Sequence, residues 1–404
     1  MYDLNENLAA KRGRMNKGKY VLTQLIDLIH HEEFMRCVDR YQGNYRVRSF
    51  TCWHQFICLC FGQLTHRDSL RDIVVCLEAH QSKLYHLGIS NGVSRSTLAE
   101  ANENRDWRIY HDFAQVLIKR AKLSNPGLVL EGLEFDNPVY ALDSSTIDLC
   151  LAVFWWATFR KTKAAIKLHT LLDIRHQVPV FVHITTGSIH DVNVMDVLDY
   201  EALAFYVMDR GYVDWERLYR IERSHAFFVT RAKKNLACIY LASTAVDKTL
   251  GLRCDQKIRL ATKQAKTDYP IALRRVKFYD AERRKTLVFL TNNFDITAFE
   301  VALLYKNRWK IELFFKWIKQ HLDVKVFWGE SQNAVKTQIW IAVCTYVLVK
   351  ILKDKLEIPK TMNEILQILS ISIFDKTPVN QLLKESGNKN DDNNFSNQLN
   401  MFDL

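Results

Sequence analysis

The sequence lacks the features that would place a protein outside the cytoplasm. Its nine cysteines are an odd number, and they are scattered without the spacing of a disulfide framework. Its longest apolar run, Ile339 to Val349, is shorter than the roughly 20 residues that a membrane helix needs. No secretory leader pattern opens the sequence as printed. We therefore expect a cytoplasmic protein with reduced thiols and no membrane partner.

A zinc site is also poorly supported. Cys58 and Cys60 lie near His54 and His66, which are residue types that bind zinc. The two cysteines, however, fall within the apolar segment FICLCFG. The segment therefore predicts buried thiols.

Positive charge is modest over the whole chain and concentrated in one part of it. The formal net charge is +11 over 404 residues. Residues 231 to 290 contain fifteen Lys or Arg and five Asp or Glu, so that segment alone carries +10. A local excess of this size predicts a polyanionic partner for the segment.

Residues 17 to 125 show helical apolar spacing, for example in LTQLIDLIHHEEFMRCVDRY and WHQFICLCFGQL. The segment LYHLGIS is followed by GVSRSTLAEANENRD, in which Ser94 can cap a helix that begins at Arg95. Helix, glycine turn and helix is the order of a helix-turn-helix, which would direct Arg95, Ser96 and Thr97 towards DNA. An ordinary helical bundle with a capped helix explains the same pattern.

From residue 135 the apolar pattern changes to short segments rich in Val, Ile, Phe and Tyr: PVYALDSST, AAIKLHTLLDI, VPVFVHITTG, FYVMDRGY and HAFFVTRAK. These segments read as strands. Helix candidates, HDVNVMDVLDYEAL and WERLYRIERS, separate the third, fourth and fifth of them. This order predicts an α/β protein with a ribonuclease-H-like catalytic core, a mixed sheet flanked by helices.

The predicted organisation has seven parts: a flexible arm (1–16), an all-helical DNA-binding domain (17–125), the first part of the core (135–235), a basic β-rich insertion (236–292), a catalytic helix that completes the core (293–330), C-terminal helices (331–384) and a disordered tail (385–404).

The segment YKNRWKIELFFKWIKQHL, residues 305 to 322, reads as one helix. At roughly 100° per residue it has a wide apolar face and one narrow polar stripe. The stripe contains Tyr305, Arg308, Glu312, Lys316 and Lys319. Salt bridges between residues four apart explain the stripe on a solvated helix. Burial of most of the circumference predicts instead that the stripe lines a cleft.

Two aspartates are predicted at strand ends, where ligands gather at a sheet edge. Asp143 follows VYAL and Asp209 follows AFYVM. Together with Glu312 they provide three carboxylates, which suit Mg²⁺. A pair of such ions activates a water or a 3′-hydroxyl in phosphodiester chemistry. Arg308, Lys316 and Lys319 would then hold nearby phosphates.

At these positions the sequence resembles DDE-type transposases of the insertion sequence four family. The family signature places Tyr, Arg, Glu and Lys at the spacing of Tyr305, Arg308, Glu312 and Lys319. The segments ALDSST, KLHTLLD and VMDRGY also resemble the family. The resemblance covers roughly residues 17 to 370.

The resemblance implies cut-and-paste transposition through a DNA hairpin, with one Mg²⁺ site (two ions, for which Mn²⁺ can substitute) serving every step. It implies that Asp143, Asp209 and Glu312 are catalytic metal ligands and that Tyr305, Arg308 and Lys319 contact phosphates. It also implies terminal inverted repeats and target DNA as partners, and a homodimer in the synaptic complex. Two alternatives stay open: a DNA-binding repressor that has lost its chemistry, and a metal-dependent nuclease that cuts without joining.

Overall fold

The computed structural model describes residues 18–89, 92–160, 163–321 and 327–384. The arm predicted at 1–16 and the tail predicted at 385–404 lie outside these residues. The N-terminal part is helical, as its apolar spacing predicts. Its helices are α1 (Val21–Ile26), α2 (His31–Arg40), α3 (Cys52–Leu64), α4 (Leu70–Ala79), α5 (Arg95–Asn104) and α6 (Arg108–Ser124).

Strands dominate the middle of the chain, and helices resume after it. The strands are β1 (Val139–Leu149), β2 (Thr158–Arg160), β3 (Lys163–Asp173), β4 (Val178–Thr186), β5 (Phe205–Met208), β6 (Phe227–Arg231), β7 (Cys238–Thr244), β8 (Leu252–Leu260), β9 (Leu273–Asp280) and β10 (Lys285–Thr291). The remaining helices are α7 (Trp215–Arg223), α8 (Lys263–Asp268), α9 (Ala298–Asn307), α10 (Trp309–His321), α11 (Gln332–Lys355), α12 (Met362–Ser372) and α13 (Val379–Lys384).

The described strands form one mixed sheet. Its order is β4-β3-β1-β5-β6-β10-β9-β8-β7, with the short β2 beside β3. Strands β1, β3 and β4 are antiparallel neighbours, whereas β5 runs parallel to β1 and β6 runs parallel to β5. The basic segment therefore extends the same sheet, because β10 pairs with β6.

Alternation along the strands gives each face of the sheet its own hydrophobic core. Ala141, Val207 and Phe289 point to the face that is covered by the N-terminal helices and by α9 to α11. Leu142 and Met208 point to the opposite face, which packs against α7 and α8.

Helix α11 provides much of the first core. Its length and composition would suffice to cross a membrane, but 94% of its apolar window is buried within the protein. It packs against α3 and α6 from the N-terminal part. Such burial is typical of a core helix, as the sequence predicts for this run.

Three local predictions are wrong in detail. Residues 305–322 do not form one helix, because α9 ends at Asn307 and α10 begins at Trp309. The helix expected over HDVNVMDVLDYEAL is only a 3₁₀ turn, Asp191–Asp196. Strand β1 does not end at Asp143, since its antiparallel pairing with β3 carries it on to Leu149.

Candidate active site

Sheet pairing brings Asp143 and Asp209 side by side. Leu142 and Met208 are partners in the parallel β1–β5 ladder, so the next residue of each strand leaves the ladder at the same edge. Asp209 then caps the 3₁₀ turn Arg210–Tyr212, and its Oδ1 accepts a hydrogen bond from the Gly211 backbone N–H at 2.7 Å. Asp143 accepts from the Ser144 backbone N–H at 2.8 Å.

Arg308 joins Asp143 to Glu312. Its Nη1 donates to Asp143 Oδ2 at 2.8 Å, and its Nη2 donates to Glu312 Oε1. The side chains of Arg308, Asp143 and Glu312 are 16%, 22% and 39% exposed. Arg308 also stands at the junction of α9 and α10. The break in the predicted helix thus lies at the residue that connects the two carboxylates.

The surroundings of this cluster alter its proton affinities. Burial raises the pKa of Asp143 to about 6, although Arg308 opposes the shift; Asp209 and Glu312 add to it by repulsion. Burial disfavours the charged form of Arg308, but the neighbouring Tyr305, Asp143 and Glu312 outweigh it and raise the Arg308 pKa. The carboxylates therefore repel one another and share a fixed cation.

The other residues of the predicted stripe surround this cluster at different depths. Tyr305 is half-buried, with its ring 4.8 Å from that of Phe289 and under the Arg308 guanidinium at 5.7 Å. Burial raises the pKa of the Tyr305 phenol. Lys316 is exposed and Lys319 is partly exposed, both on α10 beyond Glu312.

Arg95, Ser96 and Thr97 belong to the N-terminal part of the chain. Ser94 caps α5 as predicted, since its Oγ accepts a hydrogen bond from the Thr97 backbone N–H at 3.1 Å, and all three residues are exposed. In the described part of the chain, no hydrogen bond or ion pair links them to the three carboxylates. The helix expected before the turn is a single 3₁₀ turn, Tyr85–Leu87, ended by Gly88 at φ +80°.

Carboxylates suit a divalent cation by their chemistry, and here Arg308 lies between two of them. Within the four described ranges, no group of three or more His, Cys, Asp and Glu side chains is gathered closely enough to hold a metal ion. Two of the carboxylates already converge on one positive charge. Carboxylate oxygens are the donors that Mg²⁺ prefers. The donor atoms are thus of the type that suits the ion, while the described side chains are not gathered as a metal site.

Nothing in the residue spacing singles out Tyr212, which is buried in the core that Leu142 and Met208 join. It ends the 3₁₀ turn that Asp209 begins, and its side chain is 2% exposed. The available signal was its position three residues after Asp209 in VMDRGY. The sequence also gives no indication that Arg308 pairs with Asp143, because 165 residues separate the two in the chain.

Two family models match parts of this chain. The family model for a domain of unknown function (DUF4372) matches residues 17–90, and the model for the transposase DDE domain matches residues 134–348. A putative transposase of Sinorhizobium fredii is 34% identical over 200 residues, which cover 48% of this chain and 56% of that protein. A probable transposase for insertion sequence element IS5377, from Geobacillus stearothermophilus, is 34% identical over 229 residues, or 55% and 59% of the two chains.

A putative transposase for insertion sequence element IS4SA, from Synechocystis, is 22% identical over 72% of this chain and 82% of its own. Among solved structures, the piggyBac transposase in its synaptic complex with hairpin DNA aligns over 92% of this chain and 83% of its own, with a TM-score of 0.45 and 10% identity. The chain spans little more than half the length of the first two relatives. Because the matched residues 134–348 make up more than half of its sequence, the chain belongs to the transposase DDE domain family.

Proposed function

We propose that this protein is a DNA transposase of the insertion sequence four type, which cuts and joins DNA at the ends of its own element. The observation that carries the proposal is the meeting of Asp143, Arg308 and Glu312 next to Asp209. The strand order β4-β3-β1-β5-β6 supports a ribonuclease-H-like core, in which three antiparallel strands are followed by two that run parallel to the first. Family membership supports the same reading.

Asp143, Asp209 and Glu312 would hold the divalent ions, two Mg²⁺ for which Mn²⁺ substitutes. When bound, such ions lower the pKa of an attacking water or hydroxyl and stabilise the leaving oxygen. DDE transposase domains generally use divalent metal ions, which agrees with this donor set. Arg308 would then turn from the carboxylates to a DNA phosphate, which a guanidinium can bind through two parallel hydrogen bonds.

The remaining cations would hold the DNA backbone. Tyr305 and Lys319 lie on either side of Glu312 along the chain, and exposed Lys316 continues the same stripe. The β-rich segment with a net charge of +10 supplies a further phosphate-binding surface. Arg95, Ser96 and Thr97 would read the terminal inverted repeats from the exposed start of α5.

The proposed reaction is cut-and-paste. Water attacks a phosphorus at the element end, the P–O3′ bond breaks and a 3′-hydroxyl is released. That hydroxyl attacks a phosphorus of the opposite strand, whose P–O3′ bond breaks, so the element end closes as a hairpin and the flanking DNA leaves with a 3′-hydroxyl. A second water reopens the hairpin at the same phosphorus and restores the element's 3′-hydroxyl. This hydroxyl then attacks a target phosphorus, where a P–O3′ bond of the target strand breaks as the new bond forms. Two ends must be held together, so we propose a homodimer in the synaptic complex. The protein would act in the bacterial cytoplasm, at the nucleoid.

The test is cleavage of a labelled duplex taken from the DNA that flanks the gene, with Mg²⁺ and products separated on a denaturing gel. We expect wild-type protein to cut at the element boundary, and Glu312→Gln to bind the duplex without cutting it. Glu216→Gln, which neutralises an exposed carboxylate on α7, is the matched control and should cut normally.

Other outcomes separate the alternatives. Full cleavage by Glu312→Gln would overturn the assignment of this carboxylate. Cleavage without hairpin or joined product would favour a nuclease that only cuts. Specific binding without any cleavage by wild type would favour a repressor, in which Arg308 permanently takes the place of the cation.

A further inference from the structure

Three segments that are far apart in the chain meet at one surface of the helical part. Tyr20 precedes α1, Lys83 ends a 3₁₀ turn after α4, and Lys376 follows α12. The backbone joins the first and the last of these segments, since the Val21 N–H donates a hydrogen bond to the Asp375 carbonyl at 2.9 Å. The side chains that the three segments bring together therefore keep a defined arrangement.

Two lysine ammoniums face the ring of Tyr20. Lys83 Nζ lies 5.9 Å from the centroid of this ring and 5.5 Å from that of Phe374. Lys376 Nζ lies 5.2 Å from the centroid of the Tyr20 ring. Lys376 is exposed, and the other three residues are half-buried. We call these four residues the Tyr20 site, which is open to solvent.

Carboxylates do not compensate the positive charge of the Tyr20 site. Among the described residues neither lysine forms an ion pair, although Asp375 is exposed beside Lys376 and Glu78 is exposed on α4. Contact with an aromatic ring attracts an ammonium but leaves its net charge in place. Two like charges at one ring repel each other, and an anion bound at both of them would remove this repulsion.

The position of the Tyr20 site in the chain favours the DNA backbone as that anion. Ser94, which caps α5, follows Lys83 by eleven residues. Eleven extended residues span at most ~37 Å, and the 3₁₀ turn Tyr85–Leu87 shortens this stretch. One turn of B-DNA is ~34 Å long. A duplex bound at the start of α5 is therefore long enough to reach the Tyr20 site.

We propose that the Tyr20 site binds phosphates of the DNA backbone, one at each lysine, on the duplex whose bases are read from α5. The inference rests on the proposed function, because it takes DNA as the partner. The aromatic rings already hold the two ammoniums, so binding costs less side-chain entropy. Phosphate contacts position a duplex without reading its sequence. The Tyr20 site would thus fix the orientation of the duplex on the N-terminal helices.

The test compares two double variants of the full chain. Lys83→Gln with Lys376→Gln removes both charges and keeps most of each side chain over the rings. Lys83→Arg with Lys376→Arg keeps both charges and is the matched control. We would measure the binding of fluorescent duplexes by anisotropy between 50 and 200 mM salt in EDTA, with the element-end sequence and with an unrelated sequence. Urea unfolding shows whether each variant folds as wild type does.

Each phosphate contact contributes about 0.9 to the slope of log K against log salt, so the double Gln variant should lose about 2 from that slope. Over this salt range its affinity should therefore fall about 10-fold less than that of wild type, on both duplexes alike. Lys376→Gln alone, at the exposed lysine, should lose about 1 from the slope. The double Arg variant should keep the wild-type slope.

Other results would overturn the inference. A wild-type slope in the folded Gln variants would remove the Tyr20 site from the interface and leave the proposed function intact. A slope that falls only on the element-end duplex, or that falls equally in the double Arg variant, would exclude contacts between the two charges and phosphates. Wild-type protein that binds neither duplex would overturn the proposed function, and this inference with it.

Discussion

Neutralising Asp143 should make the metal-free protein more stable while it abolishes cleavage. Burial and the neighbouring carboxylates raise the pKa of Asp143 from 3.8 to about 6. The difference of about 2 in pKa, at ~1.4 kcal/mol for each pH unit, means that the ionised Asp143 costs the folded state ~3 kcal/mol above pH 6. Asp143→Asn removes this cost and keeps the shape of the side chain. The unfolding free energy at pH 8 should therefore rise by up to ~3 kcal/mol.

The pH dependence of the unfolding free energy independently checks the sign of the effect expected for Asp143→Asn. Because the folded protein holds the Asp143 proton more tightly than the unfolded chain, the contribution of this group becomes more favourable as pH falls from about 6 towards 3.8. The stability difference between Asp143→Asn and wild type should be constant above pH 6 and should shrink below it. Urea unfolding in EDTA at several pH values measures both quantities.

The control for this experiment is Asp148→Asn, which changes an exposed carboxylate on the same strand and should alter stability by less than ~0.5 kcal/mol. Excess Mg²⁺ should stabilise wild type and leave Asp143→Asn unchanged, since a ligand stabilises only the state that binds it. An Asp143→Asn protein that is less stable than wild type at pH 8 would refute the reasoning. So would a stability difference that does not change with pH.

Three further changes test other parts of the structure. Asp255→Asn breaks an almost buried ion pair, in which Arg274 donates two hydrogen bonds to the Asp255 carboxylate at 2.7 and 2.9 Å. The change should lower the unfolding free energy by ~3 kcal/mol. A loss under ~1 kcal/mol in urea unfolding would contradict this. Glu300→Ala removes the acceptor of the Thr297 backbone N–H at the start of α9 and should cost ~1–2 kcal/mol, again by urea unfolding. Lys316→Ala should reduce the salt dependence of DNA binding by about one phosphate contact, measured by fluorescence anisotropy, and an unchanged slope would remove Lys316 from the interface.

The break at Arg308 illustrates why the sequence misjudged the central helix. Apolar periodicity runs through residues 305–322 without interruption, so local spacing favours one continuous helix. In the structure α9 packs against β5, β6 and the basic strands, whereas α10 packs against β1 and α12. The two helices thus contact different elements, and Arg308, at their junction, pairs with Asp143. Intrinsic helix propensity is a weak influence on helix boundaries where tertiary contacts favour a different arrangement.

Strand β1 shows the same limit. The polar residues after Asp143 resemble the end of a buried strand, and the β5 ladder does end at that point. Pairing with β3 nevertheless continues through Leu149. A sequence pattern reflects which residues are buried, and β1 loses its neighbour β5 after Leu142. The pattern does not show the hydrogen bonds that β3 continues to supply on the other side of β1.

The sequence by itself determined the helical ends and the strand-rich middle of the chain, because apolar periodicity is a local property. It also marked Asp143, Asp209 and Glu312, since carboxylates interrupting apolar runs are visible without coordinates. Only the tertiary structure decided that Arg308 bridges two of them and that Tyr212 is buried in the core of Leu142 and Met208. Those facts depend on contacts between segments far apart in the chain, where no spacing rule applies.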